Sequence, residues 1–160
     1  MIRPCQKVLI AAVVLLMTGA ETSAQSRAPQ FTDYGVRTVH KGANAPVKLS
    51  RNDRAFRTRI RGASKDKPNF AGEYILAQWG CGAECLSTVV INARTGKVYG
   101  LPFSICCWSS EVDPVDFDLH SRLLIVRGLR NESEKDVESD THYYEFSGGQ
   151  FRFIRTIKKP

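Results

Sequence analysis

Catalytic signatures are what this 160-residue sequence has least of. Its three histidines, His40, His120 and His142, stand in unrelated contexts: an N-terminal stretch, a strand approach and a strand start. Neither a Gly-x-Ser-x-Gly nor a His-Glu-x-x-His pattern is present, which removes nucleophile-elbow hydrolases and helical zinc peptidases from the field. Four acids, Glu111, Asp113, Asp116 and Asp118, gather around Pro114. They lack the central glycine and terminal glutamate of an EF-hand, so a solvent-facing loop or edge strand is expected there. No Cys-x-x-Cys occurs. Long apolar runs are also missing. The only one, Val8 to Met17, is about half of the roughly 20 residues a membrane-spanning helix needs.

That short run reads as a cleavable signal peptide, residues 1–24. Arg3 and Lys7 precede it, and Thr22-Ser23-Ala24 supply small residues before cleavage. Export to the periplasm or beyond is therefore expected, with no transmembrane segment after processing. Processing would remove Arg3, Lys7 and Glu21 and take the formal charge from +7 to +6. The surplus is uneven. Residues 27–67 hold eleven Lys/Arg against Asp33, Asp53 and Asp66, whereas residues 131–140 carry five acids and one lysine. An exported chain makes nucleic acid a poor partner despite this charge. An envelope protein or an anionic envelope component fits better.

Residues 25–49 mix Pro29, Pro46, Gly35 and Gly42 with isolated apolar residues. An extended arm is expected there, with one short strand at Tyr34 to His40. Ser50 to Ala63 is the helix candidate, capped by Ser50 or Asn52, with Asp53 in its first turn. Ala55, Phe56, Ile60 and Ala63 form its apolar stripe, and Arg54, Arg57 and Arg61 share another face. A solvated face above a docked stripe is the plainer reading of those arginines. A cationic face for lipid head groups or an acidic partner is the sharper one.

From Tyr74 onward the pattern is β. Strands are expected at Tyr74 to Trp79, Cys85 to Ile91, Lys97 to Leu101, Ser104 to Trp108, Arg122 to Leu129, Thr141 to Phe146 and Phe151 to Ile157. Asn92 to Gly96 reads as a turn with Gly96 left-handed, and Gly148-Gly149 as a hairpin turn. Leu-Leu-Ile-Val at 123–126 is apolar enough for a central strand. The acidic stretch 131–140 reads as a loop and Lys158 to Pro160 as a frayed end. The sum is a mainly β (α+β) protein. A single antiparallel meander sheet or small open barrel of about seven strands, with one short N-terminal helix, should occupy residues 50–160 as one domain.

The distinctive chemistry lies in Trp79-Gly80-Cys81-Gly82-Ala83-Glu84-Cys85 and Cys106-Cys107-Trp108. They hold both tryptophans and all cysteines but Cys5. In an oxidising compartment four cysteines imply disulfides. Two arrangements cross-link the segments and close loops of about 20 to 26 residues, worth roughly 3 kcal/mol apiece. The other joins Cys81 to Cys85 and Cys106 to Cys107, the latter through an eight-membered ring. Cross-linking is the favoured expectation, and the sequence does not separate its two registers. A zinc site from these cysteines is disfavoured by the adjacency of Cys106 and Cys107, so no metal or cofactor is expected.

The succession Asn69-Phe70-Ala71-Gly72-x-Tyr74, Trp79-Gly80-Cys81-Gly82-x-x-Cys85, Thr95-Gly96-Lys97-Val98, Leu101-Pro102-Phe103, Cys106-Cys107-Trp108 and Ser121-Arg122-Leu123-Leu124 resembles a group of small exported bacterial proteins of uncharacterised function. The resemblance spans roughly residues 50–157. It implies export and a single domain and contributes no catalytic residues. Glu73 stands where that group carries histidine.

The reading is then a non-catalytic, disulfide-stabilised envelope binding protein, inhibitor- or immunity-like in one version. Trp79, Trp108, Arg54, Arg57 and Arg61 are its candidate binding residues. The alternative is a thiol-disulfide redox protein using Cys81, Cys85, Cys106 and Cys107. Against it, the Cys-x-x-x-Cys spacing falls on a β-turn rather than at a helix N-terminus. A third possibility is a structural envelope component recruited by its basic helix. Glu73 and Glu84 could pair as carboxylates in principle, although both positions are ordinary for solvated acids.

Overall fold

The computed structural model describes residues 27–131, 137 and 140–158. The expected signal peptide, most of the acidic stretch and the last two residues lie outside that range. Among the described residues, nine strands form: β1 (Tyr74–Gly82), β2 (Cys85–Asn92), β3 (Val98–Gly100), β4 (Ile105–Cys106), β5 (Val115–Phe117), β6 (Leu123–Arg127), β7 (Leu129–Arg130), β8 (Thr141–Ser147) and β9 (Gln150–Ile157). One short helix, α1 (Arg57–Ala63), precedes them. The protein is mainly β, its strands pair antiparallel, and the sheets do not close into a barrel. No described helix is long and apolar enough to cross a membrane.

The strands divide between two sheets. One runs β1-β2-β4-β7, with β3 also paired to β2; the other runs β5-β6-β8-β9. The division originates at Gly128. The expected strand Arg122 to Leu129 starts as β6 in the second sheet and continues as β7 in the first. Gly128 sits between them at φ +99°, where a Cβ would stand 2.5 Å from the Cys106 carbonyl oxygen. A bend of this kind lets one strand serve two sheets.

The main core fills the space between the sheets. Leu76, Val90 and Ile105 of the first meet Val115, Leu124, Val126, Tyr144 and Phe146 of the second, with Phe70 beside them. Each sheet also buries its outer face. On the first, Ile75, Trp79, Val89 and Ile91 pack with Ile60 of α1, Val47 and Leu49. On the second, Leu123, Ile125 and Tyr143 pack with Ala28, Phe31 and Tyr34. Burial on both faces explains the unbroken Leu-Leu-Ile-Val run, and β6 is central as expected.

Two N-terminal expectations are corrected. Residues 27–49 are docked on the sheets: Ser121 Oγ donates to the Phe31 carbonyl (2.7 Å), and the Ala45 and Lys48 amides donate to Ala93 and Gly96 carbonyls (both 2.7 Å). No strand forms at Tyr34 to His40. Phe31–Tyr34 is a 3-10 turn held by Asp33, which accepts from the Gln30 amide and Arg27. Those bonds hold the Asp33 carboxyl below its usual range. The helix also starts late. Asn52–Phe56 is 3-10, because Asp53 and Arg54 donate back three residues and the Asp53 carboxylate accepts the Ser50 amide at 2.6 Å. Only Arg57–Ala63 is α-helical, and Phe56 falls at the junction.

The turns form where expected. Asn92 Oδ1 accepts the Arg94 and Thr95 amides, both at 2.9 Å, and Gly96 adopts φ +71° with its backbone pressed against Pro46. Gly148-Gly149 joins β8 to β9. On the second sheet, buried Glu145 pairs with both Arg122 (3.2 Å) and Arg152. The Arg152 hydrogen bond is the largest cause of its lowered pKa.

Candidate functional site

Strand β2 builds a site by being incompletely covered. Its Val89 to Ile91 pair with β3 and its Cys85 and Leu86 with β4, so Ser87 and Thr88 have no strand beside them on that edge. The connection 101–104 loops past the gap, tied on by the Leu101 amide to the Thr88 carbonyl (3.0 Å). A cleft of about 460 Å³ opens there, roofed by Ser50, Asn52, Asp53 and Phe56. Trp79, Ser87, Thr88, Leu101, Phe103 and Ser104 line the rest. The volume lies within the usual range of small-molecule sites.

Two of these residues carry polar atoms with nothing to bond. Trp79 Nε1 and Thr88 Oγ1 are both buried without a hydrogen-bond partner. Their residues are only 6% and 3% exposed. A buried polar group left unpaired costs about 1–3 kcal/mol, and such groups are few in native proteins. The cleft wall also carries aromatic surface. Phe56 lies over Trp79 with ring centroids 5.2 Å apart, and Phe103 faces the same space. Among the described residues no lysine or arginine lines the cleft and its one charged group is Asp53, one of whose oxygens is committed to the Ser50 amide.

A larger hollow of about 730 Å³ lies between His40–Pro46 and Ser64–Pro68. Two of its polar side chains are bonded within it, Asn44 donating to the Ser64 and Asp66 carbonyls and His40 Nε2 meeting the Ala43 carbonyl, and Lys41, Lys65, Asp66 and Lys67 line it as well. None of the buried unpartnered side-chain atoms among the described residues belongs to its wall.

The cysteines pair locally, against the cross-linked expectation. Cys81 and Cys85 form a disulfide with Cα atoms 5.1 Å apart. The register steps from Gly80 opposite Leu86 to Gly82 opposite Cys85, so Cys81 is the extra residue of a β-bulge. The bulge re-aims its side chain across the hairpin to Cys85. Cys106 is opposite Cys85 on the neighbouring strand, yet Cys85 is already taken. Cys106 and Cys107 instead lie with sulfurs 2.6 Å apart.

The other expected site residues scatter. Trp79 is not an exposed anchor at the hairpin tip; it is buried under Phe56, because its side of β1 faces α1. Trp108 is half-buried and lines a separate hollow with Glu84 and Cys107. Arg54, Arg57 and Arg61 are exposed and do not line the cleft. Glu73 and Glu84 cannot act as a pair: nine residues of β1 separate them, roughly 30 Å of extended chain. Glu73 is held by Asn92 (2.7 Å) and Arg94 (2.9 Å). Among the histidines, His142 is fully buried, its Nε2–H donating to the Gly128 carbonyl (3.0 Å) and its Nδ1 bonded to Thr156 (2.8 Å). That leaves its ring committed to joining β8, β9 and the Gly128 bend.

Sequence reasoning missed Thr88, Ser87, Phe103 and the roof at Asn52 and Asp53. A lone threonine inside an apolar strand was the available signal. No family model, curated protein or solved structure matches this chain.

Proposed function

We propose that this is an exported binding protein whose cleft on the β2 edge takes, without catalysis there, an uncharged, hydroxyl-rich ligand, a saccharide in chemical class. One observation carries the reading: Trp79 Nε1 and Thr88 Oγ1 are buried and unpartnered, and both residues line the one cleft, from opposite faces of their sheet. An indole N–H asks for an acceptor, and a threonine hydroxyl can accept or donate. Two different hydroxyls of one saccharide answer the two groups. The apolar face of a pyranose ring suits the aromatic surface of Trp79, Phe56 and Phe103, while Ser87, Ser104, Asn52 and Asp53 offer bonds at the rim. The absence of lysine and arginine from the wall argues against a phosphate or carboxylate.

Export is supported by the signal-like N-terminus and by a Cys81–Cys85 disulfide suited to an oxidising compartment. An envelope polysaccharide or a fragment of one is the ligand source that fits such a location. Protein inhibition through exposed tryptophan is less favoured, since Trp79 is covered.

The test is a screen of the mature protein against immobilised neutral, acidic and amino sugars, followed by calorimetry on the hits. Saturable one-to-one binding of a neutral or amino sugar, lost in Trp79→Phe with Thr88→Val, supports the reading. Selective binding of acidic sugars or anionic vesicles, abolished by charge reversal at Arg54, Arg57 and Arg61, would replace it.

A further inference from the structure

A second site lies at the tip of the β1–β2 hairpin, where Cys106 pairs with Cys85, and its lining shares no residue with the cleft. Cys106 ends β4, and Cys107 follows with φ +55°, a conformation uncommon for a residue with a side chain. Their sulfurs are 2.6 Å apart, closer than the roughly 3.5–4.0 Å at which non-bonded carbon atoms pack. The segment is clamped from behind. Gly128 approaches so closely that a Cβ there would stand 2.5 Å from the Cys106 oxygen and 3.1 Å from Trp108 Cβ.

The two sulfurs have unequal access. Cys106 is 3% exposed and sits between β2 and β7. Cys107 is half-buried and lines an open hollow of about 550 Å³ with Glu84, Trp108, Ser109 and Ser110. This is the division of labour a dithiol exchange site needs. One sulfur meets the partner, and the other waits behind it within bonding reach.

The geometry points to Cys106 and Cys107 as a thiol–disulfide exchange site that acts on an external disulfide, with Cys107 as the attacking sulfur and Cys106 as the resolving one. The Cys107 thiolate attacks one sulfur of the external disulfide; that S–S bond breaks and half of the partner leaves as a thiolate. The Cys106 thiolate then attacks Cys107 Sγ, the second half leaves as a thiolate, and a Cys106–Cys107 bond closes. Two cysteine thiols are oxidised, the two protons they give up pass to the departing thiolates, and one external disulfide is thereby reduced to two thiols. An external dithiol drives the reverse. The external disulfide can be a small molecule or carried by a protein.

The experiment uses the mature protein with the Cys81–Cys85 bond intact. It is equilibrated in graded mixtures of oxidised and reduced glutathione, quenched by alkylation and mapped without reduction. The expected result is that Cys106 and Cys107 lose and gain alkylation together. Cys106→Ser should trap one glutathione on Cys107 at least tenfold faster than Cys107→Ser traps one on Cys106. A reduced, unfolded model protein with thiols to be oxidised forms a second arm, and faster exchange with it than with glutathione identifies a protein-borne substrate. Three results would overturn the assignment: thiols that stay alkylatable at every ratio, a bond that reduces only after denaturation, or a bond from Cys106 or Cys107 to Cys81 or Cys85.

Discussion

Trp79 and Thr88 lie on adjacent strands but on opposite faces of their sheet, since Trp79 pairs directly with Ser87. One cleft reaches both because no strand pairs with β2 at Ser87 and Thr88 on that edge, where the 101–104 connection passes instead. Each ends in a buried polar atom without a partner. Under the proposed function, a bound saccharide supplies the bonds these two atoms lack.

Thr88→Val removes the unpaired hydroxyl and keeps the branched shape. The free protein should gain about 1 kcal/mol, read as a higher urea midpoint with unchanged slope. Ligand affinity should fall in the same variant. A loss of stability would mean that the hydroxyl is bonded in the free protein.

Gly128→Ala meets two obstacles, a positive φ and a Cβ 2.5 Å from the Cys106 oxygen. The cost should be at least about 1–3 kcal/mol, measured by equilibrium denaturation. Gly62→Ala, where a Cβ meets nothing within 4 Å, is the control and should be neutral or slightly stabilising.

Acid should weaken the second sheet through Glu145. Its folded pKa lies below the ordinary 4.5, chiefly because of Arg152. The stabilisation is therefore full above about pH 4.5 and drains away as pH falls through the lower folded value. Glu145→Gln should be less stable at pH 7 by about 1–2 kcal/mol, with a smaller further loss on acidification. Denaturation midpoints at pH 7 and pH 3 for both proteins check this; parallel loss in both would assign the acid sensitivity elsewhere.

The Cys81–Cys85 bond closes a short loop, so the chain-entropy model limits its contribution to about 2 kcal/mol. Replacing both cysteines by serine should lower stability by no more than that and leave the near-ultraviolet circular dichroism of the core intact. Loss of the folded state would show that the hairpin tip organises the fold.

The strand series was legible because alternation and turn chemistry agree. Gly96, Gly148-Gly149 and the apolar run at 123–126 each mark their elements by local rules. Three features were not legible, for separate reasons. The division into two sheets depends on Gly128, and a glycine in a strand does not announce that its strand changes sheets. Cys81 pairs with Cys85 through a bulge that shifts side-chain direction by one residue, which no spacing rule registers. Asn52–Phe56 winds as 3-10 because Asp53 binds the Ser50 amide, a capping bond that the helical pattern 50–63 accommodates equally well. The candidate site was half legible: Trp79 was singled out as a binding residue, but not as a buried one. Its burial depends on α1 docking across the first sheet, and Thr88 becomes noticeable only once β3 and β4 are seen to leave it uncovered.

The most direct measurement is the indole N–H resonance of Trp79, assigned by its loss in Trp79→Phe and followed by proton–nitrogen correlation spectra during titration with the best-binding sugar. The account predicts that this resonance moves saturably while that of Trp108 stays nearly still, and that Trp79→Phe weakens binding about 2- to 12-fold, the worth of one neutral hydrogen bond. A Trp79 resonance that does not respond to any sugar, or binding that Trp79→Phe and Thr88→Val leave unchanged, would contradict the assignment of the cleft.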